Sequence, residues 1–129
     1  MSDLFADRTP PHSIEAEQAV LGAVFIEPEA LITAAEILVP EDFYRQAHDR
    51  IFRVMLHLHE NGQPVHVVPV TAELQDRKLL EEIGGVSYLS DLANAVPTAA
   101  NVEHYSRVIE EKSLLRRLIK TATEIVAEG

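Results

Sequence analysis

The chain has 129 residues, 47% hydrophobic and 25% charged, the size and composition of one soluble globular domain and not of a disordered or collagen-like chain. Eleven Lys/Arg against 21 Asp/Glu leave a net charge of -10, the wrong sign for a surface that grips nucleic acid through its phosphates. The absence of cysteine excludes a disulfide framework, thiolate zinc sites and a cysteine nucleophile; with no apolar run near the roughly 18 residues of a membrane span and no signal-peptide core at the start, a cytoplasmic protein is expected.

Residues 1–12 carry three charges and two prolines and read as a loose arm. Ser13 is placed to cap a helix from Ile14, with Glu15 and Glu17 in a first turn where the helix dipole favours anions; Ile14, Leu21, Val24 and Phe25 share one face. Pro28 ends that helix and opens a second, over about 28–38, with Leu31, Ala34, Ala35 and Leu38 as its apolar members. After Pro40, Glu41 and Asp42 open a longer helix that runs to about Glu60 and stops at Asn61-Gly62. Its inward stripe is Tyr44, Ala47, His48, Ile51, Phe52, Met55 and Leu58. Gln63–Val70 is the only β-branched run, and its two prolines predict an extended linker rather than a strand. Thr71 then caps a helix over about 72–82 that carries Leu74, Leu79 and Leu80. Ile83-Gly84-Gly85 is a turn, 86–95 a short helix with Val86, Leu89, Leu92 and Ala93 inward, and Thr98 the cap of an uninterrupted helix to about 128. The fold class is all-α: a helical-bundle head over 13–97, then a long helix over 98–129. Ile14, Leu21, Phe25, Phe43, Ile51, Phe52, Met55, Leu74, Leu89 and Leu92 are the expected core.

The last helix, about 28 residues and so roughly 40 Å long, outreaches a head whose radius of gyration is about 13 Å. At 100° per residue its solvated arc holds Glu103, Ser106, Glu110, Ser113, Arg117, Thr121, Glu124 and Glu128. The apolar arc covers about two-thirds of the circumference. Leu114, Leu118 and Ile125 form one flank, Val108, Leu115, Ile119, Ala122 and Val126 the middle, and Val102, Tyr105 and Ile109 the far flank. One neighbour needs a stripe little wider than about 100°, so two neighbours are expected and the head supplies one. The other is a further helix, from sequence after Gly129 or from a second chain, and the chain is expected to be part of something longer. Folding back within one bundle is the alternative.

Motifs that carry chemistry are mostly missing. No Gly-x-x-x-x-Gly-Lys-Ser/Thr phosphate cradle occurs. His57 and His59 lie about 200° apart on a helix, His48 and His59 three turns apart, and His66 and His104 on separate segments. Neither a histidine metal site nor a catalytic one is expected; His48 reads as partly buried, bonding through one ring nitrogen. Adjacent carboxylates such as Glu81-Glu82 diverge on a helix and make no acid/base dyad. Residues 1–111 hold seven basic and 19 acidic side chains, whereas Lys112, Arg116, Arg117 and Lys120 leave the last segment weakly positive. An acidic head favours basic protein partners over phosphate backbones: a docking module.

Four blocks in order, Glu15–Gly22, Pro40–Tyr44, Gly84–Leu92 and Asn101–Leu118, resemble the N-terminal domain of the bacterial replicative DNA helicase family, DnaB, and its Bacillus-type members in particular. The likeness extends over essentially the whole chain; His66 departs from the aspartate of the family's Gly-x-Pro-Val-Asp pattern. The resemblance implies a non-catalytic collar domain on a homohexameric ring, assembled as a trimer of dimers through a helical hairpin whose first arm is 98–129. The implied partners are a second copy, the C-terminal domain of primase and a helicase loader, with no strong nucleic-acid binding by this segment and no membrane. It needs no cofactor of its own, ATP and magnesium belonging to a 5′–3′ helicase motor C-terminal to it. Leu114, Leu118 and Ile125, with Leu115, Ile119 and Val126, are the candidate partner-binding residues. Tyr88 is open between partner contact and core, and Glu15 between docking charge and helix-dipole residue. A free-standing helical adaptor or regulatory interaction domain, ending near 129, is the competing reading; a small helical hydrolase is not supported by the spacings.

Overall fold

The computed structural model describes residues 9–128, the side chain of Glu128 excepted, so residues 1–8 of the expected arm lie outside the described part. Among the described residues there are six α-helices and no strand: α1 (Ile14–Ile26), α2 (Ala30–Ile37), α3 (Gln46–Glu60), α4 (Val67–Asp76), α5 (Gly85–Ala93) and α6 (Val102–Glu128), with a 3-10 turn at Pro40–Asp42. The all-α head and the long last helix are as the sequence predicts. Among the described residues no helix is long and apolar enough to cross a membrane.

α1 is the axis of the head. Its first turn is capped by Ser13, whose Oγ accepts from the Ala16 amide at 3.1 Å. Eight of its 13 residues are buried, because α2, α3, α5 and α6 all pack around it. A helix so enclosed must be apolar on nearly every side, and the Ala-Val-Leu-Gly-Ala-Val run meets that demand. Gly22 sits where α1 meets the end of α5: a Cβ there would lie 2.4 Å from the Leu92 carbonyl oxygen. Leu21, Phe43, Ile51, Phe52, Met55, Leu74, Leu89 and Leu92 are buried as expected, while Ile14 and Phe25 are only half-buried.

Several expected boundaries shift, each for a local reason. Residues 67–70 are helical, not linker: α4 begins at Val67, about five residues early, with His66 at its N-cap. Pro69 lies in the first turn, where a missing amide proton loses no intrahelical bond, and Val70 and Leu74 are buried. Thr71 is therefore inside the helix, its hydroxyl donating to the Val67 carbonyl at 2.7 Å. α4 also ends early, because Lys78 turns left-handed (φ 62°). The Leu79 amide then donates to Leu74 O at 2.8 Å and Lys78 N to Gln75 O at 3.0 Å, the two bonds of a Schellman stop. Asn61-Gly62 ends α3 as expected, through Gln63 N to Leu58 O at 2.9 Å. The start of that helix is broken, however: Phe43 and Arg45 are extended, the chain bends at Tyr44 and Arg45, and α3 proper begins at Gln46. Thr98 Oγ1 accepts from Ala100 N at 3.1 Å in a turn, and α6 starts only at Val102. Val86, expected inward, is exposed.

Candidate protein-docking site

α6 has two halves. Val102, Ser106, Ile109 and Ser113 are buried against the head, and from Arg117 to Ala127 every residue is exposed. With Ser113 as origin and 100° per residue, the four buried positions fall within about 40° of it on either side. Leu114, Ile125 and Leu118 fall at about 100–140°, and Leu115, Val126 and Ile119 at about 200–240°. All six candidate apolar residues thus form one strip on the side turned away from the head, 37 to 78% exposed. The expected solvated arc is corrected here: Ser106 and Ser113 are buried and Glu110 half-buried. Serine is small enough to let two helices approach closely, and Ser113 has a partner waiting, since its hydroxyl donates to buried Asp42 Oδ1 at 2.7 Å. Val102 and Ile109, the far flank of the apolar arc, are what α6 contributes to the core.

The helix leaves the head at Arg116. Its Nη2 donates to the Asp42 carbonyl at 2.6 Å and its Nη1 to the Pro11 carbonyl at 2.8 Å, while the guanidinium lies 5.4 Å from the centroid of the Tyr44 ring. Of the expected basic patch, Arg116 is therefore turned inward; Arg117 and Lys120 line an open groove with Val39, Glu41, Asp42 and Ser113.

The head candidates lie elsewhere. Glu15 is exposed in the first turn of α1. One turn along, Gln18 donates to the Tyr88 hydroxyl at 3.2 Å, so Glu15 and half-buried Tyr88 share one side of the head. No hydrogen bond, ion pair or ring contact among the described residues joins this pair to the α6 strip.

Behind Tyr88 lies a polar chain. His48 is completely buried and bonds through both ring nitrogens, a correction to the single bond expected: Nδ1 is 2.7 Å from Glu17 Oε1 and Nε2 2.5 Å from the Tyr88 hydroxyl. Glu17, also buried, accepts in addition from the backbone amides of Tyr44 at 2.7 Å and Arg45 at 3.3 Å. These bonds explain the break before α3: a buried carboxylate of α1 takes amides that a continuous helix would have used. The pattern closes in one assignment, with Nδ1–H donating to Glu17 and the Tyr88 O–H donating to Nε2. The Tyr88 oxygen then accepts from Gln18 and from Arg45 Nη1 at 3.5 Å. Nothing in the helical periodicity marks Asp42, Tyr44 or Arg116 as anchors of α6; the only signal is that Arg116 interrupts an apolar arc.

Among the described residues no group of three or more His, Asp or Glu is placed to hold a metal ion. What the geometry offers is one long apolar strip that starts beside the head at Leu114 and continues along the projecting half of α6.

Comparison with known proteins places the fold in a family. The family model described as DnaB-like helicase N terminal domain matches residues 9–111. The replicative DNA helicase DnaB of Geobacillus stearothermophilus is 67% identical over all 129 residues, and the chain spans 28% of that relative's length. Among solved structures, the N-terminal domain of the DnaB helicase from Mycobacterium tuberculosis superposes with a TM-score of 0.90 at 44% identity, over 92% of this chain and 83% of that one. A DnaB-like replicative helicase, described together with its interactions with primase, gives a TM-score of 0.75 at 30% identity, over 88% of this chain and 26% of that one.

Proposed function

The chain belongs to the DnaB-like helicase N-terminal domain family, and from that premise we propose that it is the collar and docking domain of a replicative, ATP-driven DNA helicase. In this reading it acts in the cytoplasm and does no catalysis of its own. It self-associates into dimers within a hexameric ring and receives the C-terminal domain of primase. ATP and magnesium serve the motor of the whole helicase, since this sequence has no phosphate-cradling loop. A helicase loader is a further partner, and strong nucleic-acid binding is left to other parts of the ring by a segment of net charge -10.

The observation that carries the proposal is the strip of Leu114, Leu115, Leu118, Ile119, Ile125 and Val126 on the side of α6 opposite the head. A side chain of this kind gains about 1.5–3 kcal/mol on full burial. Six of them, each about half exposed, hold about 4–9 kcal/mol in reserve. Loss of translational and rotational freedom on association costs a comparable amount, so self-association of this chain through the strip alone is weak. A second helix laid along the strip, completing a hairpin of which 98–129 is the first arm, and the primase domain are the covers we assign to it. Tyr88 and Glu15 form a second, smaller contact on the head.

Sedimentation at graded concentrations tests this. The chain is expected to be monomeric at nanomolar concentration and to associate only at micromolar concentration or above. Ile119→Ser combined with Ile125→Ser should abolish that association and weaken primase binding at least tenfold, while the unfolding midpoint moves by less than about 2 °C. A tight nanomolar dimer, or a severe fall in the midpoint of the double variant, would refute the assignment, the second by showing these side chains to be core.

A further inference from the structure

Residues 10–12, which are joined to the head only through the chain before Ser13, lie against the place where α6 departs. Two contacts hold them there. The Pro11 carbonyl takes Arg116 Nη1 at 2.8 Å. The His12 ring stacks on Tyr44, with centroids 4.2 Å apart and planes inclined by 13°. The His12 ring is itself fixed by Nδ1, 2.7 Å from the Pro10 carbonyl. Tyr44 is thus sandwiched, with His12 stacked on its ring and the Arg116 guanidinium 5.4 Å from the centroid. The second arm of the guanidinium reaches the Asp42 carbonyl, one turn beyond the Ser113–Asp42 bond. From Arg117 to Ala127 every side chain of α6 is exposed.

We propose that residues 10–12 are a strap which, through Tyr44 and Arg116, fixes the point at which α6 leaves the head and so the direction in which its apolar half is presented. The physical case is one of leverage. With the clamp intact, the last anchored residue is Arg116, and Glu124 stands about 12 Å beyond it at 1.5 Å per residue. Loss of the Arg116 contacts moves the last anchor back to Ser113 and lengthens that lever to about 16 Å. Loss of the Ser113 bond as well moves it to Ile109, and the lever becomes about 22 Å. The same angular play at the anchor then spreads Glu124 about 1.4-fold and about twofold more widely. Arginine suits the position because its planar fork addresses two carbonyls at once while its face lies on a ring; an ammonium reaches one carbonyl at a time. The inference rests on the reading of the strip as a docking surface only for its biological purpose; the strap itself is a property of the unbound chain.

The chain has no cysteine, so Glu60→Cys and Glu124→Cys, both at exposed positions, give a single spin-label pair spanning head and rod. Pulsed electron–electron distance measurements are made on the labelled full chain, diluted with unlabelled chain to remove contacts between copies. The distribution is expected to broaden about 1.4-fold in Arg116→Gln, about twofold in Ser113→Ala/Arg116→Gln, and measurably on deletion of residues 1–12 with Ser13 retained. Arg116→Lys should fall between parent and Arg116→Gln. Parental widths in both Arg116→Gln and Ser113→Ala/Arg116→Gln would overturn the clamp. A parental width in the deletion with broadening in Arg116→Gln would overturn the role of the strap. None of the described residues that the deletion removes is buried, so it remains informative should Arg116→Gln fold poorly. Because no partner is present, the measurement stands or falls apart from the docking proposal.

Discussion

Replacing Glu17 with Ala should be among the most damaging single changes in the head, although it removes a charged residue from an otherwise apolar helix. Its carboxylate takes three donors: His48 Nδ1, Tyr44 N and Arg45 N. The two amides lie near exposed side chains, where water can replace the lost oxygen. His48 is completely buried, and its N–H is left without a partner at a cost of about 1–3 kcal/mol. Adding the charge-assisted bonds lost to the backbone brings the total to about 3 kcal/mol, a large part of the 5–15 kcal/mol that holds a domain folded. For a chain of this length that lowers the unfolding midpoint by about 10 °C. Glu17→Gln should cost only about 1 kcal/mol. Its amide oxygen still serves Tyr44 N, and its NH2 can donate to His48 Nδ1 once the ring proton moves to Nε2 and Tyr88 turns to accept. Urea unfolding followed by far-ultraviolet circular dichroism measures all of this. An alanine variant within about 1 kcal/mol of the parent, or a glutamine variant as damaged as the alanine one, would refute the account of Glu17 as the acceptor that holds the break before α3.

Two further expectations concern how closely α1 and α6 are packed. Ser113→Ala leaves buried Asp42 Oδ1 without its donor and should cost about 1–2 kcal/mol, whereas Ser106→Ala deletes a buried hydroxyl that has no partner and should be neutral or stabilising by up to about 1 kcal/mol; equal effects in chemical denaturation would contradict the assignment of the Asp42 bond. Gly22→Ala drives a methyl group against the Leu92 carbonyl and should lower stability by about 1–3 kcal/mol through overpacking, despite the better helix propensity of alanine; a raised unfolding midpoint would show that α5 yields at that contact.

Helical class and the order of the elements were legible because apolar periodicity, prolines and the Asn61-Gly62 stop all act locally. What was not legible came from bonds between distant residues. The break at Phe43–Arg45 depends on a carboxylate 27 residues away in α1. The face of α6 that meets the head was misread because serines at 106 and 113 look solvated on a helical wheel. Both are buried against the head, and Ser113 finds Asp42 across the interface. The β-branched Val67–Val70 run, with its prolines, resembled an extended linker, yet a first-turn proline and two buried side chains suffice for helix. The exposed apolar strip of α6 was legible in the sequence, since the surplus of apolar side chains on that helix exists whichever flank the head takes. That Arg116 is an anchor depends on carbonyls, which no side-chain pattern displays.

The core draws Val102 and Ile109 from the long helix, with Tyr105 and Val108 packed against it, and the Leu and Ile side chains of its outer strip are not among the core residues. Folding and assembly are therefore thermodynamically separable: the head can be complete in a lone protomer, and whether the strip is covered is settled by mass action. Dilution would strip any cover from the strip without denaturing what remains.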